Sequence, residues 1–86
     1  MITYEEAKEL ALNWILKNKS DMHKPRFDVT ENRINGWIFY YEAPNELKSY
    51  SNFPIYIDKH TGNIIVLNSF FMEEIISKYE SEQGYI

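Results

Sequence analysis

Apolar and polar positions divide this chain of 86 residues into six segments. The first is helical. Apolar residues recur at Ala7, Leu10, Ala11, Trp14 and Ile15, the spacing of one buried stripe, which Leu12 and Leu16 widen. Thr3-x-x-Glu6 reads as a capping box, in which the hydroxyl and the carboxylate each meet a free backbone N–H. Ile2 and Ala7 take the staple positions, Glu5 and Glu6 suit the positive end of the helix, and Lys17 and Lys19 suit its negative end. A helix over about 4–19 is predicted. Ser20 to Pro25 is a polar connection. Arg26-Phe27-Asp28-Val29-Thr30-Glu31 then alternates, which predicts a half-buried strand with Phe27 and Val29 on one side. Asn35-Gly36 suits a turn with positive φ. Trp37 to Tyr41 is aromatic and branched on both faces, so this second strand belongs near the centre of a sheet.

Ala43 to Asn52 is the longest irregular stretch. Pro54 to Ile57 reads as a third strand, with proline at its start, where a missing N–H matters least. Asp58 to Gly62 reads as a hairpin turn, with Gly62 left-handed and Asp58 bonded to turn N–H groups. Asn63 to Leu67 is the fourth strand. Asn68 or Ser69 then caps a last helix, with Phe70, Phe71, Ile75, Ile76 and Tyr79 on its apolar side and Gly84 beyond its end. The expected fold class is α+β: one domain over 1–86, order α-β-β-β-β-α, a four-stranded antiparallel sheet and the N-terminal helix packed on one face. One helix cannot cover both faces of such a sheet, so the second face falls to the last helix, to a partner or to water.

Composition narrows the functional classes. Apolar residues are 44% and charged residues 26%, ordinary for a folded domain. Nine Lys and Arg against thirteen Asp and Glu give −4, the wrong sign for a nucleic-acid surface. No Cys is present, which excludes disulfides, thiolate zinc sites and thiol nucleophiles. No apolar run reaches a membrane span, and the first residues lack a basic-then-apolar leader, so the expectation is a cytoplasmic protein with no membrane partner. His23 and His60 lie in loops without a partner at metal-ligand spacing. Glu73 and Glu74 are adjacent, about 100° apart on a helix, and cannot share one substrate. No Gly-x-Ser-x-Gly elbow and no glycine-rich phosphate loop occurs. The reading is a binder and not an enzyme, with no cofactor and no metal.

Aromatic residues are the unusual feature, at 16% of the chain with seven tyrosines. Phe27, Trp37, Phe39, Phe70 and Phe71 read as core. Tyrosine combines rigid contact area with a polar end, which suits protein interfaces. Tyr40, Glu42, Glu46, Tyr50 and Tyr56 are the candidate partner-binding residues. Tyr40 and Tyr56 alternate away from Phe39 and Ile55 and could share the face that the first helix leaves open, or roof a small second core under the last helix. A free sheet edge or apolar face also makes a homodimer possible.

Several segments together resemble the immunity protein 35 family. They are Ile2-Thr3-Tyr4-Glu5-Glu6-Ala7, Gly36-Trp37-Ile38-Phe39-Tyr40-Tyr41-Glu42-Ala43, Pro54-Ile55-Tyr56-Ile57-Asp58-Lys59-His60-Thr61-Gly62-Asn63-Ile64 and the closing Met72-Glu73-Glu74-Ile75-Ile76-Ser77-Lys78-Tyr79-Glu80. Ser51-Asn52-Phe53 and Leu67-Asn68-Ser69 depart from the family pattern. The resemblance implies a small bacterial protein that binds and neutralises a cognate toxin. The family also contains a chaperone-like, heat-stable member, which implies as the alternative a holdase for apolar segments of unfolded clients.

Overall fold

The computed structural model describes residues 1–18, 26–42, 53–68 and 70–86. Helix α1 (Tyr4–Asn18) begins at the expected capping box. The Glu6 N–H donates to the Thr3 hydroxyl over 3.1 Å, and the Thr3 N–H donates to the Glu6 carboxylate over 2.9 Å. The buried stripe is narrower than the periodicity suggests. Ala7, Ala11 and Ile15 are fully buried, while Leu10 and Leu16 face outward. Two alanines one turn apart let the helix approach the sheet closely, and the bulkier residues beside them are left at its flanks.

Four strands among the described residues form an antiparallel sheet: β1 (Arg26–Asn32), β2 (Gly36–Glu42), β3 (Ile55–Asp58) and β4 (Ile64–Val66). They lie in chain order, which puts β2 and β3 in the middle, as the doubly apolar β2 predicts. Helix α2 (Met72–Gln83) closes the described fold. The class is α+β, with α1 on one face of the sheet. That face holds Trp37, Phe39, Tyr41, Ile55 and Ile57 against Ala7, Ala11 and Ile15. The opposite face holds Ile38, Tyr56 and Leu67 against Ile76 of α2, with Tyr40, Ile65 and Tyr79 packed around them. The second face of the sheet therefore belongs to the last helix.

Strand β1 departs from simple alternation. Phe27 pairs with Tyr41 but Val29 pairs with Tyr40, so one residue is unpaired between them. Opposed residues of an antiparallel pair share a face. Phe27 thus lies on the α1 side, 5.3 Å from the Phe39 ring, while Val29 is turned to the other side and is 60% exposed. The bulge overturns the expectation that Phe27 and Val29 share a side.

Gly36 also differs from expectation. Positive φ occurs at Gly62 and Gly84 and not at Gly36. Glycine is needed at 36 for space, because a Cβ there would lie 2.3 Å from the Tyr56 ring. The start of α2 moves as well. Its N-cap is Phe71, without a side-chain hydrogen bond, so Asn68 does not cap the helix, and Ser69 falls outside the described residues. Phe70 and Phe71 precede the helix and are exposed, which corrects their placement in the core. Gly84 ends the helix in the left-handed region, as expected.

Candidate functional site

Two features on the α2 side carry polar or exposed aromatic groups, and they do different things. The first is Asp58, at the end of β3 and fully buried. One carboxylate oxygen accepts the N–H groups of His60 and Thr61, at 2.7 and 3.3 Å, which is the turn-binding role the sequence predicts. The other accepts the hydroxyls of Tyr79 and Tyr85, at 2.5 and 2.7 Å. The Asn63 side chain donates to the Tyr79 hydroxyl. Burial pushes the Asp58 carboxyl up, but these hydrogen bonds outweigh it and hold the group below its ordinary value. Burial and the hydrogen bond to Asp58 push the Tyr79 hydroxyl up, and the same two causes push Tyr85 up to about 12. Near neutral pH Asp58 is a saturated acceptor with no proton to exchange. Its work is to hold the 58–62 turn, α2 and the C-terminal residues together.

His60 stands beside this clasp, its ring 4.6 Å from that of Tyr85 and 3.2 Å from the Asn35 side-chain oxygen. His23 falls outside the described residues. Among the described residues no three His, Asp or Glu side chains converge as a metal-ligand set, and no helix is long and apolar enough to cross a membrane.

The second feature is an open cleft of about 580 Å³ lined by Tyr40, Phe53, Pro54, Leu67, Asn68, Phe70 and Met72. Leu67 is fully buried, at its floor. Phe53 is 41% exposed, Phe71 is 65% exposed and Phe70 stands entirely in solvent beside the opening. Val29, opposite Tyr40, continues the apolar surface along β1. Burial raises the pKa of the Tyr40 hydroxyl, with smaller contributions from the nearby charges of Glu31 and Glu73. Those two carboxylates grip Arg33 from both sides, Glu31 at 2.7 Å and Glu73 through a paired contact.

The candidate residues therefore separate. Tyr40 lines the cleft and keeps an accessible edge. Tyr56 is fully buried under α2, 6.1 Å from the Tyr79 ring, and its hydroxyl has no hydrogen-bond partner among the described residues. It roofs the second core and offers a partner no surface, which corrects its assignment as a contact residue. Glu42 ends β2, and Glu46 and Tyr50 lie outside the described residues. Sequence reasoning missed Val29, Phe53 and Phe70. A usable signal existed for Phe70: acidic residues favour the first helical turn, and Glu73-Glu74 therefore point to a helix starting near Met72, which leaves the two phenylalanines outside it. Compared with protein-family models, with curated proteins and with solved structures, the chain matches none of them.

Proposed function

We propose that this chain is a small cytoplasmic binding protein that neutralises a cognate bacterial toxin by direct contact, as its resemblance to the immunity protein 35 family implies. One observation carries the reading: a large aromatic surface stands open beside a cleft, although both faces of the sheet already have helices. Exposed apolar patches rimmed by polar groups mark interaction sites. Phe70 is the clearest case, because its side chain stands entirely in solvent. The net charge of −4 suits a basic partner, since complementary charge raises the association rate. The test is co-expression with the toxin-like product of a neighbouring gene. Rescue of growth and a purified one-to-one complex are expected. Lack of both would overturn the reading, and broad suppression of aggregation of unrelated clients would favour the holdase instead.

A further inference from the structure

We infer that α2 is an acid-released cover: when Asp58 and the carboxylates beside it gain protons, α2 lifts from the sheet while α1 and the four described strands stay folded, and the face of Ile38, Tyr56 and Leu67 opens. This conformational step does not depend on what the chain binds. Little apolar surface fastens α2. Ile76 is its one buried side chain, where α1 buries Ala7, Ala11 and Ile15. The fastening is polar and converges on two turns of the sheet. Arg33 and Asn35, between β1 and β2, donate to Glu73 and Glu80. Asp58, where β3 ends, accepts the hydroxyls of Tyr79 and Tyr85. In each of these bonds the acceptor is a carboxylate, so each is strongest in the ionised form. The Asn63 amide on the Tyr79 hydroxyl, at 3.3 Å, is the exception. A second observation favours opening. The Tyr56 hydroxyl is buried beneath α2 with no hydrogen-bond partner among the described residues. A buried unpaired hydroxyl is a standing cost of the closed form, and lifting α2 returns it to water. Phe70 and Phe71, which lead into α2, are exposed, so rotation there pulls neither ring out of the core.

The groups around Asp58 give the direction of the pH effect. Tyr56 faces it from β3, and Tyr79, Tyr85 and Glu80 from α2 and the residues after it. The turns present His60, whose ring packs on Tyr85, Lys59, which is turned toward Asn32 and the Trp37 ring, and Arg33, held between Glu31 and Glu73. Helix α1 lies on the opposite face. Burial works against the Asp58 charge, yet the hydrogen bonds from Tyr79, Tyr85 and the turn hold the closed carboxyl below its ordinary value. The hydrogen bond from Arg33 does the same for Glu73. A carboxyl lowered in the closed form and ordinary in the open one favours closure above about pH 4. That contribution is lost as pH falls through the lower, closed-form value. In acid the cations of the two turns then face neutral carboxyls, which hold them far more weakly.

The test is amide hydrogen exchange on the intact chain at pH 7 and pH 3, expressed as protection relative to an unstructured chain at the same pH, with a hydrophobic dye as the second probe. At pH 3, protection over residues 75–83 should fall about tenfold or more while that of residues 11–15 and of β2 holds, and the dye should bind. Asp58→Asn should loosen α2 already at pH 7 and respond less to acid than the parent. Tyr85→Phe removes one donor and keeps the carboxylate, so it should loosen α2 at pH 7 as well and leave less to lose in acid, which preserves the test if Asp58→Asn does not fold. Tyr56→Phe should act in the opposite sense. It deletes the unpaired hydroxyl, so α2 protection should rise about tenfold at both pH values and release should move to lower pH. Protection lost in α1 and α2 together, α2 protection unmoved at pH 3, an acid response in Asp58→Asn or Tyr85→Phe as large as the parent's, or a looser α2 in Tyr56→Phe would each overturn the inference.

Discussion

The two helices cover opposite faces of one sheet by different means. Helix α1 is held by apolar contact: Ala7, Ala11 and Ile15 are fully buried against Trp37, Phe39, Ile55 and Ile57. Its side-chain hydrogen bond to the sheet is a long one, 3.5 Å from the Tyr4 hydroxyl to Thr30. Helix α2 buries only Ile76 to that degree and is tied down by polar side chains. Glu73 grips Arg33, Glu80 accepts the Asn35 amide over 2.8 Å, and Tyr79 and Tyr85 converge on Asp58. Burial of apolar surface is non-directional and indifferent to protonation. Hydrogen bonds to a buried carboxylate are directional and depend on its charge. The α2 side should therefore respond to pH and salt, and the α1 side should not.

Phe39→Ala gives the largest loss and tests the apolar side. Its ring is fully buried and packs on those of Tyr4 and Phe27. Truncation should cost about 3–5 kcal/mol, with the same increment at pH 7 and at pH 3 in urea unfolding. A loss that shrank in acid would break the contrast between the faces.

Asp58→Asn comes next, at about 2–3 kcal/mol at neutral pH, the scale for hydrogen bonds to a charged group. Because the folded carboxyl lies below its ordinary value of 3.8, ionised Asp58 stabilises the fold at neutral pH. That contribution fades as pH falls through about 3.9 and below. Stability profiles of the parent and of Asp58→Asn should converge in acid. Parallel profiles would show that the clasp is not carried by charge.

Gly36→Ala sharpens the comparison, because the residue stands under α2 although it belongs to the sheet. The new methyl would meet the Tyr56 ring at 2.3 Å. A cost of about 1–3 kcal/mol is expected, typical of overpacking, with broadened Tyr56 and Tyr79 resonances and an unchanged α1. A neutral result would mean that the ring moves aside freely.

Glu73→Gln is the smallest. The ion pair with Arg33 is exposed, so its loss should cost less than about 1 kcal/mol and vanish in high salt. A larger, salt-independent cost would make the α2 attachment more rigid than its exposure implies.

Much of this was legible in the chain. The capping box, the left-handed Gly62 and the turn-binding Asp58 are local, made between residues a few positions apart. Helix α1, the order of the strands and the centrality of β2 follow from the spacing of apolar residues. The candidate site was less legible. Tyr40 and Tyr56 look alike in the pattern, yet one lines a cleft and the other is sealed beneath a helix.

What the sequence determined by itself was therefore everything governed by local hydrogen bonding and by periodicity along one element. Only the tertiary structure decided the rest. Alternation cannot announce a bulge, since whether Val29 faces Phe27 or the solvent depends on how β1 registers with β2. Gly36 is a space reserved for a ring twenty positions away, and the pair of hydroxyls on Asp58 arrives from Tyr79 and Tyr85 only after α2 has crossed the sheet. Each is a contact between distant residues, fixed by packing in three dimensions and not by any property of the segments taken singly.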